Sequence, residues 1–163
     1  MIAIIDGGST KCDWVILDNF GKPHLKTTTL GFNPNIINPD FIGQEIDRNE
    51  DLFFLKNHIE KVFFYGSGCG TAANAKKVEV EFVKTFPQAD VRIKEDMTAA
   101  AYAAYNGRPA IVCILGTGSN SCFFDGEKIS DFVFNSNKNI TKIIYIRFFL
   151  IFLLSKVRDN LTG

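Results

Sequence analysis

Two glycine-rich turns constrain this chain more than any other feature, because each closes a short apolar run. Asp6-Gly7-Gly8-Ser9-Thr10-Lys11 follows Ile2 to Ile5, and Gly116-Thr117-Gly118-Ser119-Asn120 follows Ala110 to Leu115. A strand ending in glycines brings backbone amides to its tip, and successive N–H groups in such a turn can cradle anionic oxygens. The alternative is a pair of plain hairpin turns, since short motifs match often by accident. Two such turns, carrying hydroxyls and one strand-end aspartate, favour phosphate binding. Neither has the Gly-Lys-Ser/Thr ending of a P-loop, and neither opens a long helix as a dinucleotide fingerprint does.

The segments between the turns read as strands, then as strands alternating with helices. Cys12 to Leu17 is a second apolar run and the threonine-rich His24 to Leu30 fits a third strand, so the chain is expected to start as an antiparallel meander. Gly31-Phe32-Asn33-Pro34-Asn35 is a loop, since Pro34 biases Asn33 away from helix. A helical stripe runs from Phe41 through Leu52, Phe53 and Leu55 to Ile59, with a break near Asn49. Val62 to Tyr65 is a strand closed by Gly66-Ser67-Gly68, and Thr71 to Phe86 is a helix with Val78, Phe82 and Val83 on one side, ended by Pro87. Val91 to Lys94 is a strand, Thr98 to Tyr105 a helix stopped by Asn106-Gly107, and Ala110 to Leu115 a strand. Ser121 to Phe124 and Lys128 to Phe132 flank Asp125-Gly126, a tight-hairpin dipeptide. This order predicts an α/β sheet with helices on its faces.

With 163 residues, 46% of them hydrophobic, the chain can bury a core of about one domain. Its 18 basic residues balance 18 acidic ones, which leaves no electrostatic footprint for nucleic acid or an anionic membrane. Cys12, Cys69, Cys113 and Cys122 are far apart, so reduced, mostly buried thiols are expected. The opening residues lack the basic and long apolar regions of a signal peptide, and the expected compartment is the cytoplasm. Trp14 and the Phe53-Phe54 and Phe63-Phe64 pairs read as packing residues, and His24 and His58 as surface residues.

Two aspartates have a chemical reading beside a bland one. Asp6, at the mouth of the first turn, either holds Mg²⁺ next to bound phosphates or caps the turn. Asp96, between a strand and an alanine-rich helix, is either an N-cap or a general base that takes a proton from an alcohol attacking a phosphoryl group.

Five motifs also resemble, in order and spacing, those of N-acetylglucosamine kinases. They are Ile5-Asp6-Gly7-Gly8-Ser9-Thr10-Lys11, Gly31-Phe32-Asn33-Pro34, Tyr65-Gly66-Ser67-Gly68, Asp96-Met97-Thr98-Ala99-Ala100 and Leu115-Gly116-Thr117-Gly118-Ser119-Asn120. The wider group is the BadF/BadG/BcrA/BcrD ATPase family of the actin, Hsp70 and sugar-kinase superfold. The resemblance implies a ribonuclease H-like domain over residues 1–132, with a mixed five-stranded sheet flanked by helices and a short hairpin. It implies ATP and Mg²⁺, with Gly7, Gly8, Ser9, Thr10 and Lys11 as the first phosphate loop, Asp6 as the metal-associated aspartate, and Gly116, Thr117, Gly118 and Ser119 as the second loop. Asp96 would activate the sugar 6-hydroxyl, Asn33, Thr117 and Asn120 would contact the amino sugar, and Gly66, Ser67 and Gly68 would line the cleft beside it. The partners so implied are a small amino sugar and ATP, not nucleic acid or membrane; the oligomeric state stays open, a homodimer included.

Family members continue into a Gly-Asp-Glu-Gly-Ser-type segment and a second domain, which this sequence does not match. The chain therefore looks like half of a kinase, with weak or absent catalysis expected of it alone. Residues 133–163 form an atypical tail rich in Phe, Ile, Asn and Lys, readable as a core helix, an interfacial helix, or an out-of-frame or truncated start of the second domain. Its apolar run is too short to span a bilayer. A competing functional class is an ATPase-like activator or a sugar- or nucleotide-binding module that does not phosphorylate sugar.

Overall fold

The computed structural model describes residues 1–115, 119–131 and 143–146. The chain divides into two compact units, Met1–Asp96 and Met97–Gly163.

The first unit is built on β1 (Ile2–Gly7), β2 (Lys11–Leu17) and β3 (Pro23–Leu30), the expected antiparallel meander, joined by β4 (Lys61–Gly66) and β5 (Asp90–Glu95), both parallel to β1. The strand order is β3-β2-β1-β4-β5, a mixed five-stranded sheet. Alternate residues Ala3, Ile5, Cys12, Trp14, Ile16, Val62 and Phe64 lie in one buried cluster with side chains of α1 (Phe41–Arg48), α2 (Glu50–Leu55) and α3 (Ala72–Thr85). Ile4, Val15 and Leu17, on the other face, are buried too, which explains why the first strands read as continuous apolar runs.

The break near Asn49 is real: Asn49 ends α1 and caps α2, its side chain accepting from the Leu52 N–H at 3.1 Å. The same carboxamide donates to Thr27 Oγ1 at 3.0 Å and to the Thr28 carbonyl at 3.2 Å, tying the helix junction to β3. In α3 the buried stripe is Val78, Phe82 and, just past the helix, Phe86, while Val83 is 47% exposed. Trp14 is fully buried, with Phe32, Phe82 and Phe86 around its ring and its Nε1–H donating to Thr29 Oγ1 at 3.0 Å. Phe64 is buried as expected, whereas Phe53 and Phe54 are exposed on α2, because a six-residue helix that turns Leu52 inward cannot also bury its two neighbours. His24 and His58 are exposed.

The helix α4 (Asp96–Ala104) starts two residues before the expected Thr98. In the second unit, β6 (Ala110–Leu115), β7 (Ser119–Phe124), β8 (Ile129–Asp131) and β9 (Ile143–Ile146) form a sheet of order β8-β7-β6-β9. The β7–β8 hairpin has a four-residue loop in place of a tight two-residue turn. The Asp125 carboxylate accepts from the Glu127 and Lys128 N–H groups, Gly126 takes a φ of 111°, and Tyr105 fills the space beside it. Of the expected tail, Ile143–Ile146 is a strand parallel to β6 and not part of a helix; the rest of residues 133–163 lies outside the described residues. All four cysteines are free. Among the described residues no helix is long and apolar enough to cross a membrane.

Candidate functional site

The parallel strands β1, β4 and β5 end side by side, with Gly7 paired in register to Gly66 and Gly66 to Glu95. Gly8-Ser9-Thr10, Ser67-Gly68 and Asp96 therefore leave the sheet along one edge. The carboxyl ends of parallel strands are where α/β sheets bind ligands, because loops rather than helix-packed faces lie there.

The first turn is held from both sides. The Gly8 N–H donates to the Lys11 carbonyl at 2.9 Å, the Ser67 N–H to the Gly7 carbonyl at 2.7 Å, and the Gly31 N–H to the Thr10 carbonyl at 3.0 Å. Asn33 is buried and its Nδ2 donates to Ser9 Oγ at 2.8 Å. Gly68 has a φ of 82° and lies against the Asn33 carboxamide, so only glycine serves there.

Asp6 pairs in register with Asp13 across the β1–β2 ladder, and Lys11 forms an ion pair with Asp13 at 2.7 Å. The Asp6 carboxyl is pushed up from 3.8 to about 6, first by burial, then by the charges of Asp13 and Asp96, against the opposing pull of Lys11. Burial, followed by the charges of Asp96 and Glu95, pushes the Cys69 thiol up to about 12. Asp96 thus acts on both groups, and the acidic side chains share one electrostatic region. Among the described residues no group of three or more His, Cys, Asp or Glu could hold a metal ion alone. A cation beside Asp6 would relieve the repulsion that its carboxyl meets from Asp13 and Asp96.

Of the anticipated site residues, Asp6, Gly7, Gly8, Ser9, Thr10, Lys11, Asn33, Gly66, Ser67, Gly68 and Asp96 all lie in the first unit. Gly116, Thr117 and Gly118 lie outside the described residues. Ser119 opens β7, and Asn120 is exposed with its Oδ1 accepting from the Ser121 N–H at 2.8 Å. Sequence reasoning missed Asp13, whose one signal is the β1–β2 register, and Asn35 and Asn74, which bond to each other across the loops at 2.8 Å.

A crystal structure from Porphyromonas gingivalis, named as a candidate N-acetylglucosamine kinase, matches with 39% sequence identity and a TM-score of 0.70 over 80% of this chain and 47% of that one. The chain resembles an N-acetylglucosamine kinase. Its sugar-kinase fold recurs in a glucokinase of the ROK family from Streptomyces griseus, solved with glucose and AMPPNP, at 19% identity and a TM-score of 0.52 over 77% of this chain and 45% of that one. A candidate sugar kinase from Cytophaga hutchinsonii shares it at 19% identity and a TM-score of 0.54, over 80% of this chain and 49% of that one. This sugar-kinase-like chain spans about half the length of the solved structures it matches. No protein-family model and no curated protein matches it.

Proposed function

We propose that the chain is part of an ATP-dependent, Mg²⁺-requiring cytoplasmic kinase that phosphorylates an amino sugar, N-acetylglucosamine, at its 6-hydroxyl. One observation carries the reading: a glycine-rich turn, a half-buried aspartate and a helix-leading aspartate lie at the ends of three neighbouring parallel strands, in a chain 39% identical to a candidate N-acetylglucosamine kinase. The four free cysteines suit a reducing compartment.

In this reading the amides of the Gly7–Thr10 turn hold phosphate oxygens of ATP, and the Gly116–Ser119 segment supplies further phosphate contacts. Asn33, Gly66, Ser67 and Gly68 contact the sugar, and Thr117 and Asn120 are assigned to it by the family resemblance alone. Asp96 takes the proton of the sugar hydroxyl as its oxygen bonds to the γ-phosphorus. The bond from that phosphorus to the β,γ-bridging oxygen breaks, leaving ADP and the sugar 6-phosphate. Mg²⁺, held through Asp6, would offset charge on the transferring phosphoryl group.

The test is to titrate N-acetylglucosamine, glucosamine, glucose and ATP into the chain by calorimetry and to assay phosphoryl transfer. Tightest sugar binding by N-acetylglucosamine is expected, with slow transfer that Asp96→Asn abolishes while ATP binding persists. ATP hydrolysis that ignores both Asp96→Asn and every sugar would favour the activator class instead. Robust turnover would refute the expectation that this half-length chain is weak alone.

A further inference from the structure

Three loops at the strand ends are joined by one run of carboxamides. Asn33 donates to Ser9 Oγ at 2.8 Å, and its Oδ1 accepts from the Asn35 N–H at 3.0 Å. The Asn35 Oδ1 accepts from Asn74 Nδ2 at 2.8 Å, and that same Nδ2 donates to the Gly68 carbonyl at 3.0 Å. Asn74 is itself fixed in the first turn of α3: its N–H donates to Thr71 Oγ1 at 3.3 Å, and its Oδ1 accepts from Lys77 Nζ at 3.3 Å. The packing leaves little room for an alternative, since a Cβ at Gly68 would lie against Asn33 Oδ1 and 2.8 Å from Asn35 Nδ2.

We propose that Asn74 is a positioning residue for sugar binding, acting through Asn35 and Gly68 to hold the Asn33 loop and the Gly66-Ser67-Gly68 loop in their binding arrangement. This deepens the kinase reading and rests on it. The side-chain chemistry is specific: two N–H groups are needed toward two carbonyl oxygens, and one oxygen toward Lys77, which a carboxamide alone supplies among short side chains. Aspartate in its place sets an acceptor against two acceptors. The loops would then order only when sugar binds, and that ordering would be subtracted from affinity.

Asn74→Asp isolates this role, because an acidic residue in the first turn is favourable to the helix and leaves the Lys77 contact in place. Two measurements follow on the chain and the variant. Hydrogen exchange without ligand reads the loop amides of Ile36, Ile37 and Cys69, which donate to the Asn33 and Gly66 carbonyls. Calorimetry reads N-acetylglucosamine and ATP. Loop exchange about tenfold faster with unchanged β1 and β4 amides is expected, with sugar Kd raised about tenfold and ATP Kd within about twofold, the scale of losing paired hydrogen bonds. Asn74→Gln, which keeps the amide, should recover part of both effects. Unchanged sugar affinity in Asn74→Asp, or equal weakening of sugar and ATP, overturns the proposal and leaves the kinase reading standing. A parent chain that binds ATP but no sugar overturns both.

Discussion

Asp6 and Asp13 occupy directly opposed positions of the β1–β2 ladder, so two carboxylates extend from the same face of the pairing, where both are half-buried. Like charges placed so are unfavourable in a sheet, and they persist where function uses them.

Asp6 has a folded-state pKa near 6 against 3.8 unfolded, so the folded state binds its proton more tightly. Its contribution to stability is full below about pH 4 and is lost as pH rises through 6. Asp6→Asn should therefore gain on the order of 2 to 3 kcal/mol at pH 7.5 relative to the parent, and little at pH 4. Thermal melts from pH 4 to 8 check this, and a parent and variant that differ equally at both ends would refute it. On the proposed kinase reading, the same substitution should abolish Mg²⁺-dependent ATP binding, the usual opposition of stability and function.

A methyl group at Gly66 would strike the Phe64 ring, which also crowds Gly7. Gly66→Ala should cost about 1 to 3 kcal/mol by overpacking. Adding Phe64→Leu should recover part of that loss, since the smaller side chain vacates the contact. Urea unfolding of the two single variants and the double gives the coupling; strict additivity would show that the ring is not the obstacle.

Much of this fold was legible because glycine closes its apolar runs. The first three strands, the helix after Thr71 and the burial of Trp14 all follow from local pattern, and so does the break at Asn49. Misreadings arose where two cues competed. Val83 lies about 140° around the helix from Val78, and the stripe instead continues at four-residue steps to Phe86, next to Pro87, whose ring stops the helix. Asp96 was legible as either cap or base, and it is the first residue of α4. The Asn35–Asn74 bond was invisible, because it joins positions 39 residues apart that share no periodicity. The strand-end placement of Asp96 beside Gly66 depended on parallel pairing of β4 and β5, which a run of alternating strands and helices suggests but whose register it does not specify.

Asn49 does two jobs that substitution can separate. Its Oδ1 caps α2, and its Nδ2 bonds to Thr27 and Thr28 of β3. Asn49→Asp keeps the acceptor and should cost less than Asn49→Ala, which should lose about 1 to 2 kcal/mol with the cap. Equal losses in the two variants would assign the stability to the β3 bonds alone. Chemical denaturation followed by tryptophan fluorescence suffices, since Trp14 is the chain's one tryptophan and is buried.

The Trp14–Thr29 bond tests how a buried polar pair is valued in this core. Thr29 is almost wholly buried, and its hydroxyl is both acceptor from the indole N–H and donor to the Leu30 carbonyl. Thr29→Val preserves shape but strands the indole donor away from water, and a loss of about 1 to 3 kcal/mol is expected. Trp14→Phe removes the donor together with ring volume packed against Phe32, Phe82 and Phe86, so its loss should be larger, about 2 to 4 kcal/mol. With the donor gone, the valine costs less than it does in the parent. The double variant should therefore be more stable than the two single losses predict, by about 1 kcal/mol. A coupling of zero would mean that the indole N–H finds another partner once Thr29 is replaced, and hydrogen exchange at that indole would then remain slow.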